Sequence, residues 1–128
     1  MAREAGSPGA WMVFARSDLA LAKQGQGPGV LLEALCFHAQ QAAEKALKAV
    51  LIDHAVPVPK VHSLERLVDL LPSGVKRTPL LAEVAKLSGY AVFSRYPSDD
   101  EPLAEAEYRE AVGLAEAIVG WAEGIVGD

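Results

Sequence analysis

The stretch from Val30 to Ala55, VLLEALCFHAQQAAEKALKAVLIDHA, decides how the whole chain is read. It contains no Pro or Gly, and its apolar residues recur at helical rather than alternating spacing. At about 100° per residue, Leu31, Leu35, Ala39, Ala42, Ala43, Ala46 and Val50 share one broad face. Phe37 and Leu51 lie well away from it. A helix that is apolar on two sides sits either at the centre of a bundle or at an interface. Its many alanines let neighbouring helices approach closely.

Working outward, Pro8 to Gln24 reads as a helix with Ser7 as its cap and Pro8 at its first position, where a missing N–H costs nothing. Trp11, Ala15, Leu19 and Ala22 form its apolar edge. The run Gly25–Gly29, GQGPG, is a loop. After the central helix, Val56–Lys60, VPVPK, is an extended connection, because each proline disfavours helix in the residue before it. Ser63 caps a short helix to Leu71, striped by Leu64, Leu67, Val68 and Leu71, and Pro72–Gly74 ends it. Thr78 is placed as the cap of a fourth helix, Pro79 to Phe93, lined by Leu80, Val84, Leu87 and Ala91 and weakened at Gly89. Ser94–Pro97, SRYP, breaks the pattern. Ser98 to Glu101 then offer cap candidates and negative charge where a helix dipole favours it. A fifth helix runs from Pro102 to Ile125, with Ala104, Tyr108, Ala111, Ala115, Ile118, Ala122 and Ile125 as its packing seam and Trp121 widening it. No sustained alternation bounded by hairpin turns is present. The expectation is an all-α protein of about five helices, without internal repeats, in a single domain over residues 1–128.

Composition excludes several classes. The chain has 128 residues, of which 51% are hydrophobic and 23% charged, with a formal net charge of −5. A disordered chain would have fewer apolar residues. The one cysteine, Cys36, rules out a disulfide framework and a zinc site built on thiolates. No apolar run is long enough to span a membrane, and the N-terminus lacks the apolar stretch of a signal peptide, so the protein is expected in the cytoplasm. Asn is absent altogether, which fits either a heat-adapted protein or a GC-rich genome. Charge is unevenly placed. From His38 to Arg77 there are six Lys/Arg and four Asp/Glu, a balance of +2, whereas Ser98 to Asp128 holds one Arg and nine Asp/Glu, a balance of −8. The last helix therefore has an acidic outer face, whose ordinary meaning is solvation.

Few residues carry chemistry. On the central helix His38, Gln41, Lys45 and Lys48 form a polar stripe whose imidazole, amide and ammonium groups suit a phosphate and a base. The plainer alternative is a Glu44–Lys48 helix pair beside a solvated edge. His54 ends that helix, where an imidazolium favours the dipole. His62 either joins the polar stripe or is a hydrogen-bonded loop histidine. The spacing of the three histidines does not suit a metal, and no zinc-protease helix, phosphate-cradling glycine loop or nucleophile elbow is present. Cys36 lies in an apolar stretch and reads as a small core residue. Arg95, held at a helix junction by Pro97, offers five donors to a phosphate or a salt bridge to the acids at 99–101, and Tyr96 offers a ring for stacking.

Taken together, Phe37–Leu51, FHAQQAAEKALKAVL, followed by His62-Ser-Leu64 and Ser94-Arg-Tyr-Pro97, resembles the HEPN domain, the nucleotide-binding domain shared by higher eukaryotes and prokaryotes. The resemblance extends over about Trp11 to Ile125. It implies an up-and-down helical bundle, usually a homodimer. In prokaryotes it implies a stand-alone protein encoded beside a minimal nucleotidyltransferase, many such pairs acting as toxin and antitoxin. The positions that carry over to an ATP-like nucleotide are His38, Gln41, Lys45, His62, Arg95 and Tyr96, with Lys48 added by the stripe; no cofactor or metal is implied. Many family members are ribonucleases marked by an Arg followed, after four to six residues, by a His. No Arg stands at that spacing before His38, His54 or His62, so strong metal-independent cleavage is not expected. Two alternatives stay open: a divergent ribonuclease using His38 or His62 as base, and a dimeric interaction module using Phe37, Leu51 and the acidic last helix. The homodimer itself is expected on the premise that one core covers only one side of the central helix.

Overall fold

The computed structural model describes residues 6–90 and 102–127. Among these are five α-helices, one 3-10 helix and no strand. They are α1 (Pro8–Ala22), α2 (Leu32–Asp53), α3 (Leu64–Asp69), the 3-10 helix η1 (Pro79–Glu83), α4 (Ala85–Ser88) and α5 (Glu105–Val126). Arg95, Tyr96, the end of the expected fourth helix and the cap candidates at 98–101 lie outside the described residues.

Three long helices form the frame. Trp11 meets Lys48 and Asp18 meets both His38 and Lys45, so α1 and α2 run antiparallel. Arg16 pairs with Glu123 at 2.5 Å and Lys23 with Glu116 at 2.6 Å, so α1 and α5 are antiparallel as well. The Tyr108 hydroxyl donates to Ala22 O at 2.5 Å and satisfies a carbonyl left open at the end of α1. α2 and α5 therefore run in the same direction. The short helices between them carry the chain back along the bundle.

α2 is the axis of the core. Of its 22 residues, 14 are buried, including Cys36, the alanines at 39, 42, 43, 46 and 49, and Leu51. α1 and α5 make its main contacts, and α3 and α4 pack on it as well. This corrects the premise behind the homodimer. Leu51 is fully buried within one chain whereas Phe37 is only half-buried, so the premise fails at Leu51 but not at Phe37. Leu31, assigned to the core, is instead the exposed residue ahead of α2, and Leu32 is buried in its place. The large exposed apolar side chains are Val13, Phe14 and Leu21 on α1, with Val30 and Leu31 in the connection.

The ends of the elements show where local chemistry prevails. Ser7 accepts from Ala10 N at 3.1 Å and Ser63 from Arg66 N at 3.2 Å, so both expected caps form. Thr78 occupies the N-cap position of η1 but caps nothing, and its hydroxyl is buried without a hydrogen-bond partner. The expected helix from Pro79 becomes η1 followed by α4. The buried residues there are Leu81, Val84 and Leu87. Their steps of three match a 3-10 turn better than an α-helical one. α5 begins at Glu105, not Pro102, with Glu107 accepting from Ala104 N at 2.9 Å. α2 ends at Asp53, short of Ala55, because Ala55 has φ 58°.

Candidate functional site

The polar stripe of α2 divides into two clusters, each built on a buried carboxylate. The first centres on Asp18, an acid on the inner face of α1. The His38 ring donates from Nδ1 to Asp18 Oδ1 at 3.0 Å, and Lys45 Nζ donates to Asp18 Oδ2 at 2.5 Å. The Asp18 side chain is only 10% exposed, against 34% for His38 and 22% for Lys45. The acid is thus the buried post and the two donors reach the surface. Phe37 packs edge-on against the His38 ring with centroids 5.6 Å apart.

The second cluster centres on Glu44. Lys48 Nζ donates to Glu44 Oε2 at 3.1 Å, with both side chains almost completely buried. His62, from the connection after α2, approaches the same carboxylate through Nδ1 at 3.1 and 3.2 Å. Gln40, fully buried one turn earlier, donates to His62 O at 3.3 Å and to Glu44 Oε1 at 3.3 Å. Gln41 donates to Gln40 Oε1 at 2.8 Å. Gln40, Glu44 and Lys48 stand at i, i+4 and i+8, so one face of α2 carries a continuous hydrogen-bonded track through the core. Such a track is tolerated because each charge has an opposite charge and further donors around it.

This differs from both sequence alternatives. Glu44 and Lys48 are a helix pair, but an interior one, not part of a solvated edge. Nor is the stripe an open row of cations. Lys45 and Lys48 are balanced by Asp18 and Glu44, which leaves His38, His62 and the accessible part of Lys45 as the groups facing solvent. Each histidine turns Nδ1 to a separate carboxylate, so Nε2 is the other ring nitrogen, an acceptor in the neutral ring and a donor in the protonated one. His54 stands apart, its Nδ1 donating to Val50 O at 3.0 Å at the end of α2. Cys36 is fully buried; burial, and secondarily Glu33 and Glu107, push its thiol up to about 12. Among the described residues no group of His, Cys, Asp and Glu is arranged to hold a metal ion. None of the described helices is long and apolar enough to cross a membrane.

Asp18 and Gln40 escaped the sequence reading, yet each left a trace there. Asp18 falls three residues after Ala15 and four before Ala22, on the buried line of α1, where an acid requires a cation across the interface. Gln40 shares its helical line with Glu44 and Lys48. Trp11 and Phe14 are the other additions: Lys48 Nζ lies 5.5 Å from the Trp11 ring centroid and Lys45 Nζ 5.8 Å from that of Phe14.

Comparison with known proteins places this arrangement in a family. The chain matches the HEPN domain over residues 9–125. It is similar to the crystal structure of TT1696 from Thermus thermophilus, with 31% identity, coverage of 91% of this chain and 96% of that one, and a TM-score of 0.81. It is also similar to the crystal structure of ST0689, an archaeal HEPN homologue, with 26% identity, coverage of 95% and 99%, and a TM-score of 0.75. No curated protein matches the chain.

Proposed function

The chain belongs to the HEPN domain family, and on that premise we propose that it is a nucleotide-binding module that works beside a separate nucleotidyltransferase, as one member of a toxin–antitoxin pair in the cytoplasm. In this reading residues 1–128 act as one HEPN unit. His38, Gln41 and Lys45 meet the ligand from α2, His62 from the following connection, and Arg95 and Tyr96 from the segment after α4. Lys48 supports the site from inside through Glu44. One observation carries the reading: Asp18, itself buried, holds His38 and Lys45 together at the surface. Donors fixed in advance lose little freedom when a phosphate arrives.

The same pairing sets the strength of binding. With two of the cations neutralised by carboxylates, attraction for an anion is modest, and a dissociation constant near 1 mM corresponds to about −4 kcal/mol. Exposed charges are screened over about 8 Å at physiological salt. Titration calorimetry with ATP at low salt should therefore show weak binding that fades as salt is added. Lys45→Ala or Arg95→Ala should weaken it by about threefold or more, consistent with the loss of one charge-assisted contact. No binding at millimolar ATP, or binding indifferent to both substitutions, refutes the assignment.

A second reading, a divergent ribonuclease, draws on the orientation of His38 and His62 by carboxylates, since a general base needs its ring held in one tautomer. RNA cleavage by the purified protein that disappears in His38→Ala or His62→Ala would favour it. The homodimer remains a proposal. Its support now comes from exposed Val13, Leu21, Val30 and Leu31 and no longer from Leu51.

A further inference from the structure

Ala10, Trp11 and Phe14 stand on neighbouring turns of α1, and with Gly6 they line an open cleft of about 160 Å³. Phe14 is 61% exposed. Gly6 has φ +115°, and a Cβ there would lie 3.2 Å from Trp11 Nε1, so the absent side chain keeps this wall of the cleft against the indole. The two rings are three residues apart on α1, and the ammonium groups beside them, Lys48 and Lys45, are three apart on α2. Both ammonium–ring distances, 5.5 and 5.8 Å, fall within cation–π range. The cleft is smaller than the roughly 300–1,000 Å³ that encloses a drug-sized ligand, and it is open and apolar, which suits one flat ring system. Lys45 joins it to the cluster already described, because the same ammonium lies beside Phe14 and on Asp18 next to His38.

We propose that Trp11 and Phe14 form a stacking shelf for the base of a nucleoside phosphate, whose phosphate is held by Lys45 and His38. The proposal rests on the nucleotide-binding reading and adds to it the half of the site that takes the base. Gly6, Ala10 and Phe14 offer the base no side-chain hydrogen bond, so the shelf recognises a π-face and not a base identity, as stacking platforms do. Purines, with the larger face, bind more tightly than pyrimidines, and AMP and GMP bind alike.

Calorimetry with AMP, and with ribose 5-phosphate as the ligand lacking a base, tests this. Phe14→Ala is suitable because the side chain it removes is mostly exposed. Loss of one base–aromatic contact should weaken AMP binding about fivefold or more, leave ribose 5-phosphate unchanged, and be restored by Phe14→Tyr. If Phe14→Ala binds AMP as the original protein does, or loses AMP and ribose 5-phosphate equally, the shelf is wrong while nucleotide binding stands. If the unaltered protein binds no AMP at millimolar concentration, both the shelf and the reading beneath it fall.

Discussion

Asp18 and Glu44 are buried acids on helices whose other buried residues are mostly apolar, and their nitrogen partners offset the cost of placing them there. Removing one partner of a buried pair leaves an uncompensated charge and costs about 3–5 kcal/mol. Asp18 has two nitrogen partners, His38 and Lys45, and Glu44 has four, Gln40, Gln41, Lys48 and His62. Cys36 shows the opposite solution, a polarisable group left neutral among apolar neighbours. With its thiol pushed up to about 12, less than about one molecule in a thousand carries a thiolate at pH 8. Iodoacetamide at pH 8 should therefore label the native protein at least a hundredfold more slowly than the unfolded chain; equal rates would contradict its burial. The sign for stability follows from proton binding. Between pH 9 and about 12 the unfolded thiol has lost its proton while the folded one keeps it, so this contribution is complete below pH 9 and declines above it. Sequence alone identified Cys36 as a core residue and His38, Lys45 and His62 as polar candidates. It missed Asp18 because a single acid on a helix states a need for a partner without naming the partner, and the contact spans the α1–α2 interface.

The helices were legible wherever a side chain or a long apolar period dictated them: Ser7 and Ser63 cap as expected, and α2 and α5 stand where their seams lie. Their ends were less so. α2 closes with Val56 N donating to Leu51 O at 2.9 Å and Ala55 N to Ile52 O at 3.0 Å. This double closure ordinarily uses Gly at the left-handed position. Here Ala55 takes it, at φ 58°. That conformation costs a non-glycine residue about 1–2 kcal/mol, partly offset by the greater freedom glycine loses on folding. Ala55→Gly should raise stability by about 0.5–1 kcal/mol, seen in thermal unfolding as an increase of about 2–4 °C. An unchanged or lower midpoint would show that Ala55 is unstrained. The split between η1 and α4 was hidden for a related reason. Leu80, Val84, Leu87 and Ala91 satisfy an α-helical period on paper, but packing buries Leu81, Val84 and Leu87.

At the scale of the molecule, α2 explains both the fold and the site. Surrounded by α1, α3, α4 and α5, it buries apolar residues on two sides, and its polar lines run along the contact with α1 and beneath the connection that carries His62. The burial of Leu51 within one chain was not legible, because the sequence does not say which of the other helices meet each side of α2. The acidic outer face of α5 is turned to other uses: Glu116 and Glu123 tie it to α1, while Glu105 and Glu110 remain at the surface. On the proposed reading, an anionic ligand is directed away from α5 and toward the α1–α2 face. Backbone amide shifts of the isotope-labelled protein, followed during titration with AMP at low salt, test this claim most directly. Saturable shifts are expected, largest at Trp11, Phe14, Asp18, His38 and Lys45. Shifts centred on Glu105–Val126, or none that saturate, would contradict it.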